Sequence, residues 1–168
     1  MNNTIKTICQ YLLIIVIVIV IRIFVITPIQ VNGRSMETTL YNNDIMILNI
    51  LGYHLGGVDR FDIIVIKYQD EHLIKRVIGL PGETVKYKDN KLYINNKLND
   101  DLIKNGTADF STLDITEDGV IPKEKYFVLG DNRSNSSDSR VIGLIDKKDI
   151  LGKTNIIIFP FKHFGLVK

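Results

Sequence analysis

Cysteine is nearly absent from this 168-residue chain, with Cys9 the only one. No intrachain disulfide can form, and no cysteine pair can hold a metal. The lack of disulfides does not argue against an external location. The three histidines, His54, His72 and His163, are far apart and share no ligand spacing with each other or with Cys9, so no zinc site is expected. Charge of one sign is also missing. The formal net charge is +2 and the basic residues are scattered, which removes the electrostatic footprint of a nucleic-acid surface, although a few lysines could meet anionic lipid. There is no G-x-S-x-G nucleophile elbow and no glycine-rich phosphate loop; Gly79-Leu80-Pro81-Gly82 reads as a turn. A Ser-His-Asp triad stays open, because its members need not be close in sequence.

What the chain does have is a long apolar run near its start. Residues 8–29 are almost wholly aliphatic, and about 22 residues at roughly 1.5 Å each span about 33 Å, enough to cross a hydrocarbon core. Buried strands are the competing reading, but core strands seldom exceed about ten residues, and no turn chemistry appears before Pro28. A removable leader would need small residues at a cleavage site, and Thr27-Pro28-Ile29-Gln30-Val31 has no A-x-A pattern. The expectation is therefore an uncleaved anchor over 8–29 that stops at Pro28, behind a short cytoplasmic tail at 1–7. Arg22 can snorkel to the interface. Lys6 and the amino terminus favour an inside N-terminus, while Arg22 and Arg34 weaken the asymmetry.

Beyond Pro28 the sequence reads as short β-branched strands separated by turns. Stretches 44–50, 61–67 and 72–78 are apolar, and Gly56-Gly57, Pro81-Gly82 and Asp89-Asn90 punctuate them. Residues 86–93 and 94–97 suggest a small hairpin with Asp89-Asn90 at its tip. Residues 99–122 are polar and weakly patterned, and order returns at 125–129, 141–145 and 156–159. With a hydrophobic fraction of 45%, the chain can bury one core besides its anchor. The fold class is mainly β behind one N-terminal helix.

Three segments could carry chemistry: residues 33–40, 74–82 and 130–140. Ser35 follows Gly33 by two positions, and a glycine there allows a ligand to approach the backbone, whose N–H groups could face a developing oxyanion. Lys75 interrupts the apolar neighbours Leu73, Ile74, Val77 and Ile78. A strand lysine ordinarily points to solvent. If it faces inward, desolvation lowers its pKa, and a neutral amine can take a proton from a serine hydroxyl. Arg76 then points the other way, where it can pair with a carboxylate. Segment 130–140 packs serines and asparagines around two aspartates and two arginines. A polar loop has such a composition too, but paired Asp and Arg can also brace an active site.

Taken together, in this order and behind an anchor, the segments resemble the signature boxes of type I signal peptidases. Ser35-Met36 resembles the nucleophile box and Lys75-Arg76-Val77-Ile78-Gly79-Leu80-Pro81-Gly82 the lysine box. Gly130-Asp-Asn-Arg-x-Asn-Ser-x-Asp-Ser-Arg140 resembles the last box. The resemblance covers most of 31–145, and the compact Ser35-to-Lys75 spacing is similar to the small Gram-positive members. It implies an antiparallel β catalytic core (about 27–87 and 123–168) with a reduced insertion at 88–122, and an extracytoplasmic domain at 30–168 on a single-pass bacterial membrane anchor. It implies a Ser35 nucleophile and a Lys75 general base, with Ser136 orienting the lysine, Asp131 pairing with Arg76, and Asp138 with Arg140. Val31, Met36, Leu40 and Ile74 would shape shallow pockets for small residues, with Gly33 where some members place an oxyanion-hole serine. The expected activity is removal of signal peptides after A-x-A-like sites, without cofactor or metal. The implied partners are preprotein signal peptides and the bilayer, with a secretion translocon or pilin subunits beyond them, and no nucleic acid. Thr38 departs from the family's usual proline, which stiffens that turn. The departure keeps alive a pilus-assembly factor or a dedicated pilin-processing peptidase. A self-cleaving repressor shares the Ser-Lys chemistry but is soluble and carries a DNA-binding domain, unlike this chain.

Overall fold

The computed structural model describes residues 3–104 and 106–167. Helix α1 (Asn3–Phe24) carries the apolar run. Among the described residues it is the only helix long and apolar enough to cross a membrane, and its apolar residues from Tyr11 to Val20 are exposed. It ends earlier than the sequence suggests, because residues 26–30 form strand β1 (Ile26–Gln30) instead of a last helical turn. Two effects favour this outcome. The residue before a proline is biased away from helix, and Pro28 sits on an edge strand, where its missing N–H removes no ladder bond.

β1 pairs with β2 (Ile45–Asn49), and short helix α2 (Ile50–Gly56) follows directly. Its two glycines disguise α2 in the sequence as a turn. The helix is nucleated by Asn49, whose side chain accepts the Gly52 N–H at 2.7 Å, and Gly57 ends it at φ 70°. Strands β3 (Ile63–Tyr68) and β4 (Glu71–Gly79) form the central hairpin.

The polar middle holds β5 (Val85–Lys88), β6 (Lys91–Ile94), β7 (Lys97–Asn99) and β8 (Phe110–Ser111), a separate four-stranded sheet in the order β7-β6-β5-β8. Asp89-Asn90 forms the tip of the first hairpin, as expected. A second tip, Asn95-Asn96, follows with both residues at positive φ. That is the primed-turn chemistry of two-residue hairpins, which cuts short the second arm expected over 94–97.

The chain then returns through β9 (Lys125–Leu129), α3 (Ser139–Ile142), β10 (Ile145–Asp146), β11 (Ile150–Phe159) and β12 (Gly165–Leu166). Residues 141–145, expected as a strand, are split between α3 and β10; the Asp138 carboxylate accepts the Arg140 N–H and caps α3. β11 begins six residues earlier than the patterned stretch 156–159, pairing with β3 over residues 150–154 and with β2 over residues 153–159.

The main sheet is antiparallel throughout, in the order β1-β2-β11-β3-β4-β9-β10, with β12 added to β11. Alternation in β3 divides its flanks: Ile63 and Val65 pack with Val31, Met36, Leu40 and Ile74, while Ile64 and Ile66 pack with Tyr53, Val77 and Val128. A third cluster, including Val85, Tyr87, Leu92 and Phe127, joins the small sheet to the large one.

Candidate functional site

Three elements converge at one point. The turn between β1 and β2 carries Ser35, β4 carries Lys75, and the loop from β9 to α3 carries residues 130–138. The turn is held at both ends. The Val31 N–H donates to Asp44 O at 2.8 Å and the Gly33 N–H to Asn42 Oδ1 at 2.9 Å, with Gly33 at φ 91°. Met36 and Leu40 anchor it in the core, both almost fully buried. The Glu37–Thr38 peptide is cis.

Lys75 is 2% exposed, and its Nζ lies 2.8 Å from Ser35 Oγ and 3.0 Å from the Ile74 carbonyl. Burial lowers its pKa from 10.5 to about 8, against the opposing pull of Asp138 and Asp131. A charged ammonium donates across that 2.8 Å separation; a neutral amine can accept the hydroxyl proton over the same distance. The Ser35 N–H has no acceptor among the described residues, which leaves it available to a ligand oxygen.

Arg76 and Asp131 form a doubly hydrogen-bonded pair, Nε–Oδ1 2.8 Å and Nη2–Oδ2 2.7 Å, with both side chains 0% exposed. Arg76 Nη1 also donates to Phe61 O at 2.9 Å. Asp138 takes Arg140 on both oxygens at 2.8 Å and accepts the Gly130 N–H at 3.0 Å. Burial alone would push its carboxyl up, but the Arg140 and Gly130 hydrogen bonds hold it below the ordinary carboxylate value.

Ser136 differs from expectation. Its Oγ is buried and has no hydrogen-bond partner among the described residues. Lys75 spends its bonds on Ser35 and Ile74 instead. Ser136 Oγ packs against Gly130, where a Cβ would collide with it and with the Ser35 carbonyl oxygen. Gly130→Ala is therefore expected to push the Ser35 turn outward and cut turnover at least tenfold in a protein that still folds. Wild-type turnover in a folded alanine variant would refute that close packing.

Val31, Met36, Leu40 and Ile74 lie together, but as core side chains at most 7% exposed. The open space lies beside them, a cleft of about 520 Å³ between residues 28–32 and residues 70–73. β3 pairs with one edge of β4 along 71–76, whereas β9 covers the other edge only from Arg76 onward. Residues 71–73 thus border the cleft on an edge with no strand beside it among the described residues, and an extended peptide could add there.

Asn132 was not singled out in the sequence, yet its N–H donates to Ser35 O at 3.0 Å and its Nδ2 to Arg34 O at 3.1 Å. The only sequence signal was its membership of segment 130–140. Arg133 and Asp101 form a further buried pair at 2.6 Å, and nothing in the polar stretch 99–122 marked Asp101. Among the described residues no His, Cys, Asp and Glu group could hold a metal ion.

Comparison with known proteins gives concordant results. The family model described as "Signal peptidase, peptidase S26" matches residues 4–159. The chain is similar to signal peptidase I P of Bacillus subtilis subsp. natto, at 38% identity over 99% of this chain and 95% of that protein. It is also similar to signal peptidase IB of Staphylococcus aureus, at 38% identity over 89% of this chain and 86% of that protein. Among solved structures, a signal peptidase I from Enterococcus faecalis V583 matches with a TM-score of 0.52 and 40% identity, over 57% of this chain and 95% of that one.

Proposed function

We propose that this chain, a serine endopeptidase belonging to the signal peptidase family of peptidase S26, removes signal peptides from exported preproteins with Ser35 as nucleophile and Lys75 as general base. The observation that carries this reading is the 2.8 Å contact between a buried lysine and a serine that follows, by three residues, the stretch 28–32 lining one side of a peptide-sized cleft. The signal peptide lies extended in that cleft and bonds to the exposed edge of β4. Ser35 Oγ attacks the scissile carbonyl while Lys75 Nζ takes its proton, and the Ser35 N–H faces the oxyanion. Collapse of the tetrahedral intermediate breaks the peptide C–N bond, and Lys75 returns its proton to the departing amine. Water, activated by the same lysine, then hydrolyses the acyl ester and restores Ser35.

The polarity of binding follows from the anchor. The cleft lies between residues 28–32 and 70–73, with Asn32 leading into the Ser35 turn and Pro28 a few residues from the end of α1. The upstream half of the substrate, whose apolar part stays in the bilayer, occupies it. Val31, Met36, Leu40 and Ile74 fill the core beside it and leave room only for small side chains next to the scissile bond, hence the A-x-A preference. In the same reading the anchor spans a bacterial membrane with its amino terminus cytoplasmic and residues 30–168 outside. We assign the catalytic core to about 27–87 and 123–168 and an insertion to 88–122. The separate small sheet supports that division, although β5 straddles its boundary. An assembly factor without catalysis is not favoured, because the relatives are named as peptidases.

The test is incubation of the detergent-solubilised protein with a preprotein carrying an A-x-A site, beside Ser35→Ala. Cleavage by the wild type alone, after the last alanine, supports the assignment; cleavage by both, or by neither when folded, rejects it. The Lys75 pKa also sets a pH dependence. The amine must be neutral to act, so kcat/KM should climb about tenfold per pH unit below about 8 and level off above it. A flat profile from pH 6 to 9 would remove Lys75 as the base.

A further inference from the structure

We propose that Asp101, in the polar stretch that precedes the β9–α3 loop, is a positioning residue for the Ser35–Lys75 pair and acts through Arg133. The inference rests on the peptidase reading above and adds a residue that lies outside all three signature boxes.

Arg133 sits in the middle of the last box but turns away from the dyad. Its Nη1 donates to Asp101 Oδ2 at 2.6 Å and its Nη2 to Asp101 Oδ1 at 3.0 Å. The side chains are 1% and 6% exposed, and a planar fork on a carboxylate in such surroundings fixes both partners in orientation as well as distance. The carboxylate is held in turn by the Tyr87 hydroxyl, which donates to Asp101 Oδ2 at 2.7 Å, and the guanidinium lies over the Tyr87 ring with its carbon 5.4 Å from the centroid. Thr107 Oγ1 accepts from Arg133 Nη1 at 2.6 Å. The small sheet and its following loop thus form a socket with one acidic group for one buried cation.

On its other side Arg133 grips the catalytic loop. Its Nε donates to Gly130 O at 3.2 Å, and its own carbonyl accepts Arg140 Nη2 at 2.7 Å. Gly130 packs directly on the Ser35 carbonyl, and the neighbouring Asn132 holds the carbonyls of Ser35 and Arg34. A shift of Arg133 therefore moves both groups that clamp the nucleophile turn. The peptide cleft between 28–32 and 70–73 shares no residue with this socket. Loss of Asp101 should accordingly slow the chemistry and leave peptide binding alone.

The test uses the full chain in detergent with an A-x-A preprotein. Asp101→Asn should lower kcat at least tenfold with KM within twofold of wild type, whereas Asp101→Glu, which keeps the charge, should recover part of that loss. Asp101→Asn leaves a buried cation uncompensated and can lower the melting temperature as well. The double variant Asp101→Leu/Arg133→Met removes both charges and is the control for folding. It should melt near wild type and still show the kcat defect at unchanged KM. A folded double variant with kcat within twofold of wild type overturns the proposal and leaves the pair a purely structural link. Should the double variant not fold, equal kcat for Asp101→Asn and Asp101→Glu, measured below their melting temperatures, overturns it equally. Absence of cleavage by the wild type itself would instead strike the peptidase reading on which the proposal stands.

Discussion

Lys75→Ala is expected to lower cleavage of an A-x-A preprotein by about 1,000-fold or more while the protein stays folded. General-base removal alone costs about 100- to 10,000-fold, and no second base stands within reach of Ser35 among its hydrogen-bond partners. Folding should survive because Lys75 carries no ion pair among the described residues; Asp131 and Asp138 keep Arg76 and Arg140 as partners. Removing a buried amine whose pKa has already been lowered by burial also relieves a desolvation cost, so the melting temperature should not fall sharply. Lys75→Arg is the informative companion. It keeps a positive charge but cannot deprotonate in the working range, and it should be as inactive as alanine. Rates from single-turnover assays, with near-ultraviolet circular dichroism as the folding control, decide the matter. Processing by Lys75→Ala within tenfold of wild type would end the dyad assignment.

Asp131→Ala should instead destroy stability. It leaves the Arg76 guanidinium, 0% exposed, without the carboxylate that takes two of its hydrogen bonds. Breaking one side of a buried pair costs about 3–5 kcal/mol, a large part of the roughly 5–15 kcal/mol that holds a typical domain. Among the contacts that Arg76 keeps, the Phe61 carbonyl still accepts from Nη1, but loss of Asp131 removes two charge-assisted bonds from a site closed to water. Denaturant unfolding should show the midpoint falling at unchanged slope. A loss below about 1 kcal/mol would mean that water or another acidic group replaces Asp131. Asp131 differs in kind from Asp101: the first holds the strand bearing the base to the loop, the second holds that loop to the small sheet.

The fold class was legible because hydrophobic periodicity and turn residues act locally. The aliphatic run was too long for a buried strand and formed a helix, and the β-branched stretches at 61–67, 72–78 and 125–129 became the central strands β3, β4 and β9. The failures have equally local causes. Val25 and Thr27 flank a β-branched residue ahead of Pro28, and strand pairing with β2 then outweighed helix continuation. Residues 50–56 were hidden by glycine, and their helix is held by caps at its two ends, Asn49 and Gly57.

The chain by itself determined the long apolar N-terminal helix, the β character, and the residue types able to perform serine proteolysis, since each of these rests on composition or on a signature contained within a dozen residues. Only the tertiary structure decided that Ser35 and Lys75, forty positions apart, meet at 2.8 Å, that Ser136 packs on Gly130 instead of binding the lysine, and that Asp101 clasps Arg133 across thirty-two positions. A lysine on a strand reads the same whether it faces water or core. What lowered its pKa was the packing of three separate elements around it, and desolvation is a property of the surroundings that no local pattern encodes.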